Sequence, residues 1–102
     1  MHRASDQVEH EVWIAEIEAA AERLDLGTQA RSYAVELFLS DVPESDRSKR
    51  ATMAASVYAA SLIAGERRSQ TRVAEACDVS RLTIQSRWKG LIDDAGLSPP
   101  SW

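Results

Sequence analysis

The sequence has few of the residues that build stapled, metal-bound or membrane-spanning proteins. A single cysteine, Cys77, and two histidines, His2 and His10, exclude an internal disulfide and make a metal site unexpected. The apolar runs are only a few residues long, far short of the roughly 20 that cross a bilayer. The first residues contain no apolar stretch followed by a cleavage site. We therefore expect a cytoplasmic protein with no membrane contact, no metal and no cofactor.

Glycine and proline are also scarce, with four and three residues among 102, and they mark boundaries between helical patterns. We find no strand-like alternation, no internal repeat and no low-complexity linker. Hydrophobic residues make up 44% of the chain and charged residues 27%, which is typical of a globular domain with a core. These observations predict one all-α domain over residues 1–102.

Helical spacing of apolar residues predicts two helices in the first half. Residues 6–24 form the first, and Asp6 with Glu9 fits a capping box at its start. Gly27 is expected to end this helix and Thr28 to cap the second one.

A third helix is expected from about residue 49 to 64, with Ser48 as its cap. Its composition leaves little polar surface, so neighbouring helices must cover it nearly all round. The apolar residues are Ala51, Met53, Ala54, Ala55, Val57, Tyr58, Ala59, Ala60, Leu62 and Ile63.

The last two helices have the pattern of a helix-turn-helix over about residues 69–94, followed by an irregular tail over 95–102. Ser69 and Ser80 are the expected caps. Ala74 is small where the two helices would cross, and Val79 would fill the space between them. The final helix is expected to bury Ile84, Trp88 and Leu91.

The opposite side of that final helix has residue types that read DNA. Arg and Gln can pair with base edges, Leu can contact a thymine methyl group, and Lys or Arg can neutralise phosphates. We expect base contacts from Arg81, Leu82 and Gln85, with Ser86 on the same stripe. The expected phosphate contacts are Arg67, Arg68, Arg72 and Lys89.

The net charge of −4 conceals a division along the chain. Residues 1–46 carry eleven acidic and three basic side chains, which gives −8, whereas residues 47–92 carry three acidic and nine basic ones, which gives +6. Charges more than about 8 to 10 Å away are largely screened by salt, so the second half can still attract a polyanion.

The segment from Arg47 to Leu91 resembles a cyclin-like repeat of archaeal transcription factor B, the relative of eukaryotic transcription factor IIB. The resemblance rests on Arg47-Ser48, Ala54-Ala55, Tyr58, Gly65-Glu66-Arg67, Gln70, Val73-Ala74, Val79, Thr83-Ile84, Arg87 and Lys89. It implies a five-helix cyclin-like fold whose last two helices bind double-stranded DNA at a promoter element near a TATA box. It also implies contact with TATA-binding protein or other initiation factors.

Three positions depart from the family pattern. Lys49 stands where the family often has Pro, and Asp78 stands where it often has Gly. Gln85 stands where Arg is common, and Gln favours adenine whereas Arg favours guanine. The zinc ribbon and second repeat of a complete factor B are missing, so recruitment of polymerase is not expected.

The sequence leaves a second function open, a protein-interaction module that does not bind DNA directly. Such a module would use the acidic first half against a basic partner, or would form a homodimer. Trp13 and Trp88 are expected to pack in or near the core, whereas Trp102 could dock on its own domain or on a partner. Cys77 has no neighbouring base in the sequence pattern, and no enzyme is expected.

Overall fold

Five helices account for the secondary structure of the residues described by a computed structural model, which are 4–40 and 42–96, with side chains from residue 10 onward. The helices are α1 (Ala4–Arg23), α2 (Thr28–Ser40), α3 (Asp46–Ile63), α4 (Gln70–Cys77) and α5 (Arg81–Asp94). No strand occurs within these residues, as the sequence predicted. No helix in this part of the chain is long and apolar enough to cross a bilayer.

The end of α1 and the start of α2 differ from the sequence prediction. Because α1 begins at Ala4, Asp6 lies inside the helix and not at its cap; the side chains of Asp6 and Glu9 fall outside the described set. Asp25, and not Gly27, takes the left-handed conformation that ends α1, with φ of 57°. The N–H of Leu26 donates to the Ala21 carbonyl, which completes a Schellman turn.

Gly27 instead caps α2, because its carbonyl accepts the N–H of Arg31 at 3.1 Å. Thr28 is therefore the first helical residue and not the cap. The N–H of Gly27 donates to Glu66 Oε1 at 2.9 Å, so a carboxylate from the loop after α3 sits at the positive end of α2. A Cβ at Gly27 would come 3.0 Å from Glu66 Oε2, which explains why a residue without a side chain fits here.

The cap of α3 is Ser45 and not Ser48. Ser45 has extended backbone, and its hydroxyl accepts the N–H of Ser48 at 3.1 Å. The helix thus begins at Asp46, three residues before the predicted start. Its other end is a second Schellman turn, in which Gly65 has φ of 75° and Glu66 N–H donates to the Ser61 carbonyl.

The central helix α3 packs against each of the other four helices. Every residue from Ala51 to Leu62 is buried, which confirms the expectation that neighbours cover this helix nearly all round. The many alanines allow the backbones of neighbouring helices to approach closely. The core around α3 includes Ile17, Leu24, Leu37, Phe38 and Ile84, all at most 2% exposed.

Candidate nucleic-acid interface

A tight turn of three residues, 78–80, joins α4 to α5. Asp78 adopts the left-handed conformation, with φ of 60°, and Val79 N–H donates to the Ala74 carbonyl at 3.0 Å. Asp tolerates this conformation better than most residues, so it can replace Gly here. Ser80 then caps α5 by accepting the N–H of Thr83 at 3.3 Å. The caps predicted for both helices, Ser69 and Ser80, are confirmed.

One side of α5 anchors it to the core. Ile84, Trp88 and Ile92 are buried, and Trp88 meets Tyr58 edge to face with ring centroids 5.4 Å apart. The sequence prediction had Leu91 in place of Ile92, but Leu91 is only partly buried. This packing fixes which side of α5 faces water.

The other side of α5 is open to solvent, as the sequence predicted. Leu82 is 67% exposed, which is a large area for an apolar side chain. Arg81 Nη1 lies 3.3 Å from Gln70 Oε1, which links the start of α5 to the start of α4. The exposed residues of α5 are Arg81, Leu82, Gln85, Ser86, Arg87, Lys89, Gly90, Asp93 and Asp94.

The proposed phosphate contacts differ in their surroundings. Arg67 and Arg72 are exposed, and Lys89 places its ammonium 5.5 Å from the centre of the Trp88 ring while remaining exposed. These three side chains can reach a ligand without breaking internal contacts on which the fold depends.

Arg68 requires a correction to the predicted set. Its guanidinium donates to the carbonyl oxygens of Leu24 at 2.8 Å, Asp25 at 3.0 Å, Glu66 at 2.9 Å and Arg67 at 3.2 Å. Four of its five N–H groups are therefore used inside the fold. Arg68 closes the carboxyl end of α1, and we remove it from the candidate phosphate contacts.

Two further arginines hold the carboxyl end of α4. Arg23 Nη1 from α1 donates to the Ala76 carbonyl at 2.9 Å, and Arg50 Nη1 from α3 donates to the Cys77 carbonyl at 3.2 Å. Cations at a helix carboxyl end satisfy its unpaired carbonyls and oppose the negative end of its dipole. The short helix before the turn is therefore fixed to both α1 and α3.

Arg50 has other contacts that hold it in place. Its guanidinium lies 5.3 Å from the centre of the Trp13 ring, and its Nη2 is 3.7 Å from Glu16 Oε1. Trp13 itself is 7% exposed and packs near Phe38. The expectation that Trp13 and Trp88 are packing residues is confirmed. Trp102 lies outside the described residues.

Cys77 is buried beneath the turn. Loss of solvent raises the pKa of its thiol to about 12, although the nearby Arg50 and Arg23 act in the opposite direction. The thiol thus stays protonated near neutral pH and is a poor nucleophile. Within the described residues, no group of three or more His, Cys, Asp or Glu side chains could hold a metal ion.

A groove of about 720 Å³ runs beside the exposed face of α5, and no sequence pattern predicted it. One wall is the start of α3, with Arg47 and Arg50, and the other is the turn and the first half of α5, with Ser86 and Arg87. From the sequence, Arg47 and Arg87 counted only toward the family resemblance. They lie far apart along the chain, so the sequence does not reveal that both line this groove.

Comparison with known families agrees with this arrangement of helices. The family described as "Transcription factor TFIIB repeat" matches residues 13–94, which include the second half of α1 and the whole of α2 to α5. The chain belongs to this family. Its all-α, five-helix architecture is that of a cyclin-like TFIIB repeat, as the resemblance implied.

Individual relatives of this TFIIB-repeat chain are archaeal. "Transcription initiation factor IIB" of Pyrococcus abyssi is 34% identical over 83 residues, which cover 78% of this chain and 28% of the relative. "Transcription initiation factor IIB 1" of Thermoplasma volcanium is 38% identical over 80 residues, covering 74% of this chain and 25% of the relative. The chain thus spans about a quarter of the length of these relatives, whose names are those of initiation factors and not of enzymes.

Proposed function

We propose that this chain is a DNA-binding module that acts in transcription initiation and modulates promoter recognition. The observation that carries the proposal is the division of α5 into two sides. Ile84, Trp88 and Ile92 anchor the helix, which leaves Arg81 and Gln85 in solvent at helical spacing. A helix that presents such residues from a rigid core can enter a major groove without rearranging the fold.

The proposed mechanism separates base reading from phosphate binding. Arg81, Leu82 and Gln85 contact base edges, with Ser86 beside them on the stripe. Arg67, Arg72 and Lys89 contact phosphates and set the register of the helix on the duplex. The α4–α5 pair acts as the helix-turn-helix, and its target is a promoter element beside a TATA box, with TATA-binding protein as the neighbouring factor.

A salt titration tests the proposal. Fluorescence anisotropy with a labelled duplex that holds a TATA element and its flanks should show a Kd that rises steeply with salt. The logarithmic slope should be about 0.9 for each phosphate contact. A competing duplex of scrambled sequence separates specific from nonspecific binding. Weak binding that does not respond to salt would contradict the proposal.

Gln85 provides a sharper test of base reading. Gln85→Arg should shift the preferred base at one position of the site from adenine to guanine, because Arg pairs with guanine O6 and N7. A well-formed bidentate pair discriminates by about 1–3 kcal/mol, or roughly fivefold to over a hundredfold in affinity. Gln29→Arg, which adds the same charge at an exposed position of α2, is the matched control and should leave the base preference unchanged.

A second candidate is protein interaction through the acidic first half. Glu11, Glu18 and Glu22 are exposed on α1, and Glu18 and Glu22 are paired with Arg31, at 3.3 and 3.1 Å. This surface suits a basic partner or a second copy of the chain. The mass of the protein in solution, measured with and without TATA-binding protein, tests it. Partner binding that survives loss of both Arg81 and Gln85 would favour this function.

A further inference from the structure

The groove beside α5 brings together charges from distant parts of the sequence. Asp46, Arg47, Ser48, Arg50 and Ala51 line it from the first turns of α3. The facing wall is formed by the turn before α5 and by Thr83, Ser86 and Arg87 of α5. Ser86 belongs both to the exposed stripe of α5 and to the groove lining, so the groove adjoins the face proposed to read bases, whereas Arg87 lies on the far side of the groove from Gln85.

Two of its arginines are available to a ligand. Arg47 and Arg87 are exposed, and neither side chain has a hydrogen bond or ion pair with any described residue. Arg50 is different, because the carbonyl of Cys77, Glu16 and the Trp13 ring already hold it. The groove therefore has one fixed cation, Arg50, and one open cation on each wall.

The two acidic residues of the groove also differ in whether a nearby cation offsets their charge. Asp46 lies 3.8 Å from the ammonium of Lys49, a nearly buried cation that offsets its charge. Asp78 is exposed, and no salt bridge to it occurs among the described residues. Asp78 is thus the main charge in the groove that would oppose an anion.

We infer that one sugar-phosphate strand of the bound duplex lies in this groove, with Arg47 and Arg87 contacting its phosphates. The inference rests on the proposed function and adds residues to it. A helix seated in a major groove has a phosphate strand along each side, so open cations beside the helix lie where phosphates pass. Arg47 from α3 then binds the backbone in concert with α5.

Arginine substitutions test the inference through the salt slope. With the TATA-flank duplex, Arg47→Ala and Arg87→Ala should each reduce the logarithmic slope by about 0.9. At about 0.1 M salt this corresponds to an affinity loss of roughly fivefold to tenfold for each variant. Both side chains lack internal partners among the described residues, so the fold should be retained, and circular dichroism checks this.

Asp78 offers a test of opposite sign with a close control. Asp78→Asn removes the opposing charge at a left-handed position that Asn also tolerates, so affinity should increase severalfold. Asp25→Asn removes the same charge at the matching left-handed position after α1, away from the groove. It should change affinity much less.

The outcomes separate this inference from the proposed function. If the wild-type protein does not bind the duplex, or binds it without a steep salt dependence, both the inference and the proposed function are contradicted. In another outcome, the wild-type protein binds with a steep salt dependence and Arg81→Ala abolishes binding, but Arg47→Ala and Arg87→Ala leave the slope unchanged. That outcome overturns the inference about the groove and leaves the proposed function standing. An equal response of Asp78→Asn and Asp25→Asn also overturns the groove, because only a general charge effect would then remain. A groove that serves an acidic peptide would give the same unchanged slopes.

Discussion

At the scale of single residues, arginine has two distinct uses in this molecule. Arg23, Arg50 and Arg68 lie at helix carboxyl ends and donate to carbonyl oxygens from other segments. The remaining described arginines of the second half are exposed and open to a ligand, apart from the link between Arg81 and Gln70. The number of basic residues in the sequence is thus larger than the number of cations available for binding.

Arg67 and Arg68 allow the two uses to be compared directly. Arg68→Ala should lower the free energy of unfolding by about 1–3 kcal/mol, because it removes the donor from two partly buried carbonyls, those of Leu24 and Glu66. Arg67→Ala should change stability by less than about 0.5 kcal/mol, since its side chain is exposed. Urea denaturation followed by circular dichroism measures both.

DNA binding by the same pair should show the reverse pattern. Under conditions where both variants are folded, Arg67→Ala should reduce the salt slope and Arg68→Ala should keep it. Equal stability of the two variants would contradict the role assigned to Arg68. The sequence could not separate these adjacent arginines, because two of the carbonyls that hold Arg68 belong to Leu24 and Asp25, far away in the chain.

At the scale of elements, capping determines where each helix begins. The sequence predicted all five helices, and it identified Ser69 and Ser80 correctly because each precedes a clear change of pattern. For α3 the sequence pattern pointed to Ser48 and not to Ser45, because the polar residues between them show no helical periodicity that would mark the start of the helix. The structure resolves this choice through the bond from Ser48 N–H to the Ser45 hydroxyl.

The two serines should respond differently to substitution. Ser45→Ala should cost about 1 kcal/mol of folding free energy, because the first turn of α3 loses a side-chain acceptor. Ser48→Ala should cost little, since Ser48 contributes only its backbone N–H to this cap. Thermal unfolding of the two variants beside wild type gives the comparison. A larger loss in Ser48→Ala would place the cap where the sequence analysis expected it.

At the scale of the whole molecule, α3 joins the helices that the sequence divides by charge. It contacts α1 and α2 of the acidic half and α4 and α5 of the basic half. Composition predicted its burial, because a helix of mainly alanine and other apolar residues has no face suited to water. The groove could not be predicted in this way, since it depends on how α3 and α5 sit side by side.

The shared central helix should make unfolding a single cooperative event. With Trp102→Phe as background, Trp13→Phe leaves fluorescence from Trp88 in α5, and Trp88→Phe leaves it from Trp13 in α1. In each variant the fluorescence and circular dichroism midpoints in urea should coincide. An earlier fluorescence transition in either variant would show that one half of the molecule unfolds separately.

The two-sided character of α5 also bears on how such a protein can diversify. Arg81, Leu82 and Gln85 lie in solvent, whereas the residues that hold the helix are on its other side. Exchange of these outward side chains removes little packing, so new combinations should arise at low cost to folding. Copies of one ancestral scaffold would thereby acquire different binding preferences while keeping the same interior.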